Sequence, residues 1–96
     1  MPAQRKHKPP KDITMGPVTA AELAAIGLSS PAKIRALGWE AAFERWVERY
    51  PNRLNVNAAV GIVSVVDNVS WLKLPAARKA EARRVVEALR ARFRRP

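Results

Sequence analysis

Few side chains in this sequence could act as catalysts, and their spacing argues against catalysis. The one histidine, His7, stands among prolines and lysines, with no second histidine and no carboxylate pair beside it. Proton shuttling and metal ligation both need partners it lacks. There is no cysteine, which removes thiolate nucleophiles, thiolate metal sites and disulfides, and fits a reducing cytosol. Ser29, Ser30, Ser64 and Ser70 have no base at a spacing that would activate a hydroxyl. Glu40, Glu44 and Glu48 recur every fourth residue and share a helix flank, but three carboxylates without a histidine more often make a solvated face than a metal site. No enzyme, no metal and no cofactor is expected.

The chemistry the sequence does offer is cationic. Eighteen lysines and arginines against eight acids give a net charge of +10 over 96 residues, and the excess is unevenly placed. Residues 1–12 carry Arg5, Lys6, Lys8 and Lys11 against Asp12. Residues 75–96 carry eight cations against Glu81 and Glu87, while the long middle is close to neutral. A near-neutral body with two basic ends suits a polyanion. Arginine dominates the carboxy-terminal run, and its planar fork matches phosphate better than lysine's point charge does.

Ninety-six residues make one domain that buries roughly 60–65% of its unfolded surface and is modestly stable. An apolar share of 48% is ordinary for a globular chain. No apolar run is long enough for a membrane span, and the basic amino terminus lacks the apolar stretch of a secretory signal, so a cytoplasmic protein is expected. Residues 1–14 show no apolar periodicity and read as a disordered basic arm.

From Met15 the pattern is helical. Thr19 and Glu22 have the spacing of a capping box, with Val18 and Leu23 at the staple positions, and Gly27 can close the helix in the left-handed conformation. Ser30 caps a second helix that opens on Pro31, points Ile34 and Leu37 inward and ends at Gly38. Trp39, Phe43, Trp46, Val47 and Tyr50 form one apolar stripe along a third helix, stopped at Pro51-Asn52. Residues 54–69 are rich in valine, which favours strands. Yet Leu54, Ala58, Gly61, Ile62, Val65 and Val69 fit a helical face, and a lone strand would have nothing to pair with. A buried helix ending at Asp67-Asn68 is expected. The last helix runs from near Pro75 to about Arg94. It docks through Ala82, Val86, Leu89 and Phe93 and carries Lys79, Arg83, Arg90 and Arg94 in a stripe about 60° wide.

Five segments then carry a resemblance: Met15-Gly16-Pro17, Glu22-Leu23-Ala24-Ala25-Ile26-Gly27-Leu28, Ile34-Arg35-Ala36-Leu37-Gly38, Leu54-Asn55-Val56, and Trp71-Leu72-Lys73-Leu74-Pro75. From Met15 to about Phe93 the chain resembles the carboxy-terminal domain of the TfoX/Sxy family of bacterial competence regulators. The resemblance implies an all-α fold, a small five-helix bundle over residues 15–96 that opens with a helix-hairpin-helix-like unit. It also implies transcription regulation of DNA-uptake genes rather than enzymatic activity, in some members beside a catabolite-activator-type protein. A hairpin that grips phosphate usually has two glycines in its turn and free amides at the second helix. Here Gly27 stands alone and Pro31 removes one donor.

Two functions are expected from these features. The first is binding of duplex nucleic acid through phosphate contacts, without sequence choice, by Arg5, Lys6, Lys8 and Lys11 of the arm, Lys33 and Arg35 of the hairpin, and Lys79, Arg83, Arg90 and Arg94 of the last helix. The second is a protein–protein adaptor that docks an acidic partner, such as a polymerase subunit or a transcription factor. Replacing Lys33 and Arg35 would separate them. No membrane partner is expected, because the last helix needs its apolar face for the core.

Overall fold

A computed structural model describes residues 15–94; the expected basic arm lies outside the described residues. The described residues form five α-helices: α1 (Pro17–Ala25), α2 (Pro31–Leu37), α3 (Trp39–Arg49), α4 (Val56–Asp67) and α5 (Ala76–Phe93). A single 3₁₀ turn, Pro51–Arg53, links α3 to α4, and no strand occurs among the described residues. The fold is all-α, as expected, and the valine-rich segment is a helix.

Each boundary has a local cause. In α2, Pro31 occupies the first turn and the Ser30 hydroxyl accepts from the Lys33 N–H at 3.3 Å. Gly38, at φ +97°, ends α2 and starts α3 at once, a conformation side chains resist. In α4, Asn55 Oδ1 accepts from the Ala58 N–H at 2.8 Å, and Asn68 closes the helix in the left-handed region at φ 55°. α1 ends in a Schellman motif. With Gly27 at φ +85°, the Leu28 N–H reaches the Leu23 carbonyl at 2.8 Å and the Gly27 N–H reaches Ala24 at 3.1 Å. Leu23 and Leu28, brought together by this turn, are both buried.

The start of α1 differs from the expected capping box. Gly16 is the cap, Pro17 is the first helical residue, and no side chain caps the helix. Thr19 and Glu22 therefore lie inside the helix, and Val18 is 62% exposed rather than stapled to Leu23. Proline's fixed φ starts the helix two residues before Thr19, and the Glu22 carboxylate is used elsewhere. It accepts from the Trp46 indole N–H at 2.9 Å and takes both prongs of Arg53 at 2.8 and 3.0 Å. The Arg53 guanidinium also lies over the Trp46 ring, 5.3 Å from its centroid. One carboxylate thus ties α1 to α3 and to the 3₁₀ turn.

The core is built around α3 and α4. Trp39, Phe43, Trp46 and Val47 are buried as the stripe predicts, with Ala42 beside them, while Tyr50 is half-buried at the end of the helix. Phe43 meets Trp46 edge-on at 6.3 Å between centroids, a favoured aromatic geometry. α4 packs against α2, α3 and α5, so it is apolar over most of its circumference. Its buried set is Ala59, Ile62, Val63, Ser64 and Val65, whereas Gly61, expected on the inner face, is exposed. α5 docks through Ala82, Val86 and Leu89.

Two further expectations fail at helix ends. Leu37 is 37% exposed and Phe93 is 41% exposed. Both sit at the last position of their helices, where periodicity continues but no neighbouring element covers them.

These differences set the expected energetics. Phe43→Ala should lose about 3–5 kcal/mol by denaturant unfolding, since it empties the middle of the core, whereas Phe93→Ala should cost under about 1 kcal/mol. The hydrogen bonds from Arg53, aided by Trp46, hold the Glu22 carboxyl below its ordinary range. A carboxylate depressed in the folded state stabilises above its unfolded pKa, and that stabilisation is lost as pH falls through the folded value. Thermal melts from neutral pH down through the ordinary glutamate range should therefore show an acid-side loss that is smaller in Glu22→Gln than in the parent protein.

Candidate nucleic-acid interface

The distribution of acids decides which cations are available. Glu22 is committed to Arg53. Asp67 and Glu81 converge on Arg78 at 2.8 and 2.7 Å, and the Asp67 bond foremost raises the Arg78 pKa above its ordinary value. This pair joins the end of α4 to the start of α5, and Asp67 is only 25% exposed at its side chain. Glu44 pairs with Arg92 and links α3 to the far end of α5. Glu87 takes Arg90 at 3.2 Å, three residues along the same helix and largely in solvent.

Among the cations that these acids leave unpaired, several lie together on α5. Lys79, Arg83, Arg84 and Arg94 form no ion pair with any described residue. Arg83, Arg84 and Arg94 are exposed, and Lys79 is half-buried at the edge of the docked face. Arg90 joins them at little cost, because an exposed ion pair is worth at most about 1 kcal/mol. Around the cations the helix surface is low: Ala76, Ala77, Ala80, Ala88 and Ala91 are all exposed. Among described residues, the helix therefore presents a band of guanidinium groups that can fork onto phosphate oxygens.

The residues expected to bind are not all brought to this band. Lys79, Arg83, Arg90 and Arg94 share α5, as the wheel implies. Arg5, Lys6, Lys8 and Lys11 lie outside the described residues. Lys33, on α2, is exposed, with its ammonium 3.1 Å from the Ser29 hydroxyl. Arg35 is engaged by the fold itself. Its Nε donates to the Val66 carbonyl at 2.8 Å and its Nη2 to the Val65 carbonyl at 3.4 Å. It thereby satisfies carbonyls at the negative end of the α4 dipole. Arg84 falls outside the 60° stripe and so escapes the set expected from the sequence, although its charge is plain there.

The hairpin turn is a packing device as well. The Gly27 and Leu28 amides are used in closing α1, Pro31 has none, and the Lys33 amide is held by Ser30. Few donors are left to cradle a phosphate there.

No helix among the described residues is long and apolar enough to cross a membrane. Comparison with protein-family models, with curated proteins and with solved structures found no match.

The engagement of Arg35 with α4 changes what its substitution reports. Arg35→Ala should destabilise the fold by about 1 kcal/mol, read as a lower Tm, because two carbonyls at the end of α4 lose a charged donor. Lys33→Ala should leave the Tm unchanged.

Proposed function

We propose that this chain is a non-enzymatic, nucleic-acid-associated regulatory module that binds duplex nucleic acid through phosphate contacts, with the α5 band as its principal surface in the folded body. The observation carrying this reading is the unneutralised set Lys79, Arg83, Arg84 and Arg94 on one helix, in a chain of net charge +10. The resemblance to the carboxy-terminal domain of TfoX/Sxy-type competence regulators supports a place in transcription regulation. Phosphate contact gives affinity without sequence choice, and the α5 band offers mainly arginines over alanines rather than the asparagine and glutamine side chains that read base edges. The alternative is an adaptor in which the same band orients an acidic protein partner, such as a polymerase subunit or transcription factor.

Salt dependence tests the reading. Anisotropy of a labelled random duplex should show binding that weakens steeply from about 50 to 200 mM salt; with about five phosphates neutralised, log K should fall against log salt with a slope near −4.5. Replacing both Arg83 and Arg84 by alanine should flatten that slope by about 1.8 and leave the melting curve intact. Absence of binding at the lowest salt would overturn the nucleic-acid reading in favour of the adaptor.

A further inference from the structure

On α4, the side not covered by other helices faces an open groove of about 500 Å³, walled by Met15 and Thr19 of the α1 entry, by Trp46 and by Trp71. Its floor is Gly61, exposed in the middle of a helix. Nothing among the described residues accounts for this glycine. It is helical, and a Cβ built on it meets no atom within 4 Å. A mid-helix glycine weakens a helix relative to alanine, and such a residue often marks the close approach of another molecule.

The walls are specific in kind. Trp71 is 59% exposed and is carried on a hydrogen-bonded turn: the Leu72 N–H donates to Ser70 Oγ at 3.3 Å, the Lys73 N–H to the Ser70 carbonyl at 2.8 Å, and Leu74 is buried just beyond. The Asn57 amide lines the groove with no partner among described residues. Ser64, also at the wall, is 3% exposed, and its Oγ has no hydrogen-bond partner among described residues, a state that costs stability until a partner is found. Arg53, the cation that lines the groove among described residues, is already matched by Glu22. An indole platform, an amide with donor and acceptor, and an orphan hydroxyl in a neutral slot together describe a site for a flat, uncharged, hydrogen-bonding ring.

We propose that this groove takes a single unpaired nucleobase, stacked on Trp71 over Gly61, with its polar edge toward Asn57 and Ser64. The inference rests on the nucleic-acid reading above and extends it. Cations elsewhere on the chain hold the phosphates, and the neutral groove takes the base, a division of labour common where bases stack on aromatic side chains.

The test compares three short duplexes: fully paired, carrying one extrahelical adenine, and carrying an abasic residue at the same bulge. The adenine bulge should bind about tenfold tighter than the paired duplex, the gain expected from one stacked base, and the abasic bulge should bind like the paired one. Trp71→Ala and, independently, Gly61→Leu should each remove that gain while leaving affinity for the paired duplex unchanged. Gly61→Leu enters open space and favours the helix, so it tests the groove without loss of the fold. Equal binding of all three duplexes, or a gain that survives both variants, would overturn the groove proposal and leave phosphate binding standing. Failure to bind any of them would overturn both.

Discussion

Burying Trp46 obliges the rest of this small structure to answer for one N–H group. The indole is 2% exposed, and an unpaired donor at that depth would cost about 1–3 kcal/mol. Glu22 supplies the acceptor, Arg53 balances the carboxylate, and its guanidinium returns to lie over the same indole ring. The circuit joins a core residue on α3, the middle of α1 and the turn into α4. Residues contributed by three separate pieces of chain thereby share one fixed corner, from which Trp46 and Arg53 also form part of the groove wall.

A second constraint is the scarcity of acids. Those tied to Arg53 and Arg92 link elements that are not neighbours in sequence, and Asp67 ties α4 to α5 through Arg78, so these anions join the bundle together rather than neutralise its surface. Glu40 and Glu48, the remaining acids of α3, stay exposed. Charge left uncompensated therefore accumulates on α5 as a by-product of how the fold is fastened. The same economy explains why Arg35, which looks like a surface cation in the sequence, is drawn to the backbone at the end of α4. That terminus has carbonyls to satisfy, and its one acid, Asp67, is already held by Arg78.

What the sequence revealed follows from the range of the forces involved. Local features read well: the Ser30-Pro31 start, the glycine stops at positions 27 and 38, and the aromatic stripe of α3 depend on residues within a turn or two of each other. The valine-rich α4 read correctly only because a strand would have lacked a partner. The capping box at Thr19 and Glu22 was a coincidence of spacing, since the true partner of Glu22 lies 31 residues away. Leu37 and Phe93 show that periodicity tells where a face points and not where its neighbour ends. In the candidate interface, total charge was plain, but which cations remain unpaired depends on tertiary placement, as Arg35 and Arg78 show. The groove left one trace in the sequence: a glycine inside an otherwise apolar helix.

The exposed alanines of α5 have a consequence of their own. A helix clad in bulky side chains holds its charged groups upright at a set height. Along this one, the arginines rise from a shallow bed and can lie along the backbone or reach away from it. A rigid polyanion could then be met at several distances and tilts by the same few groups. The helix would serve as a compliant bearing surface, able to ride along an irregular charged polymer rather than fit one station on it.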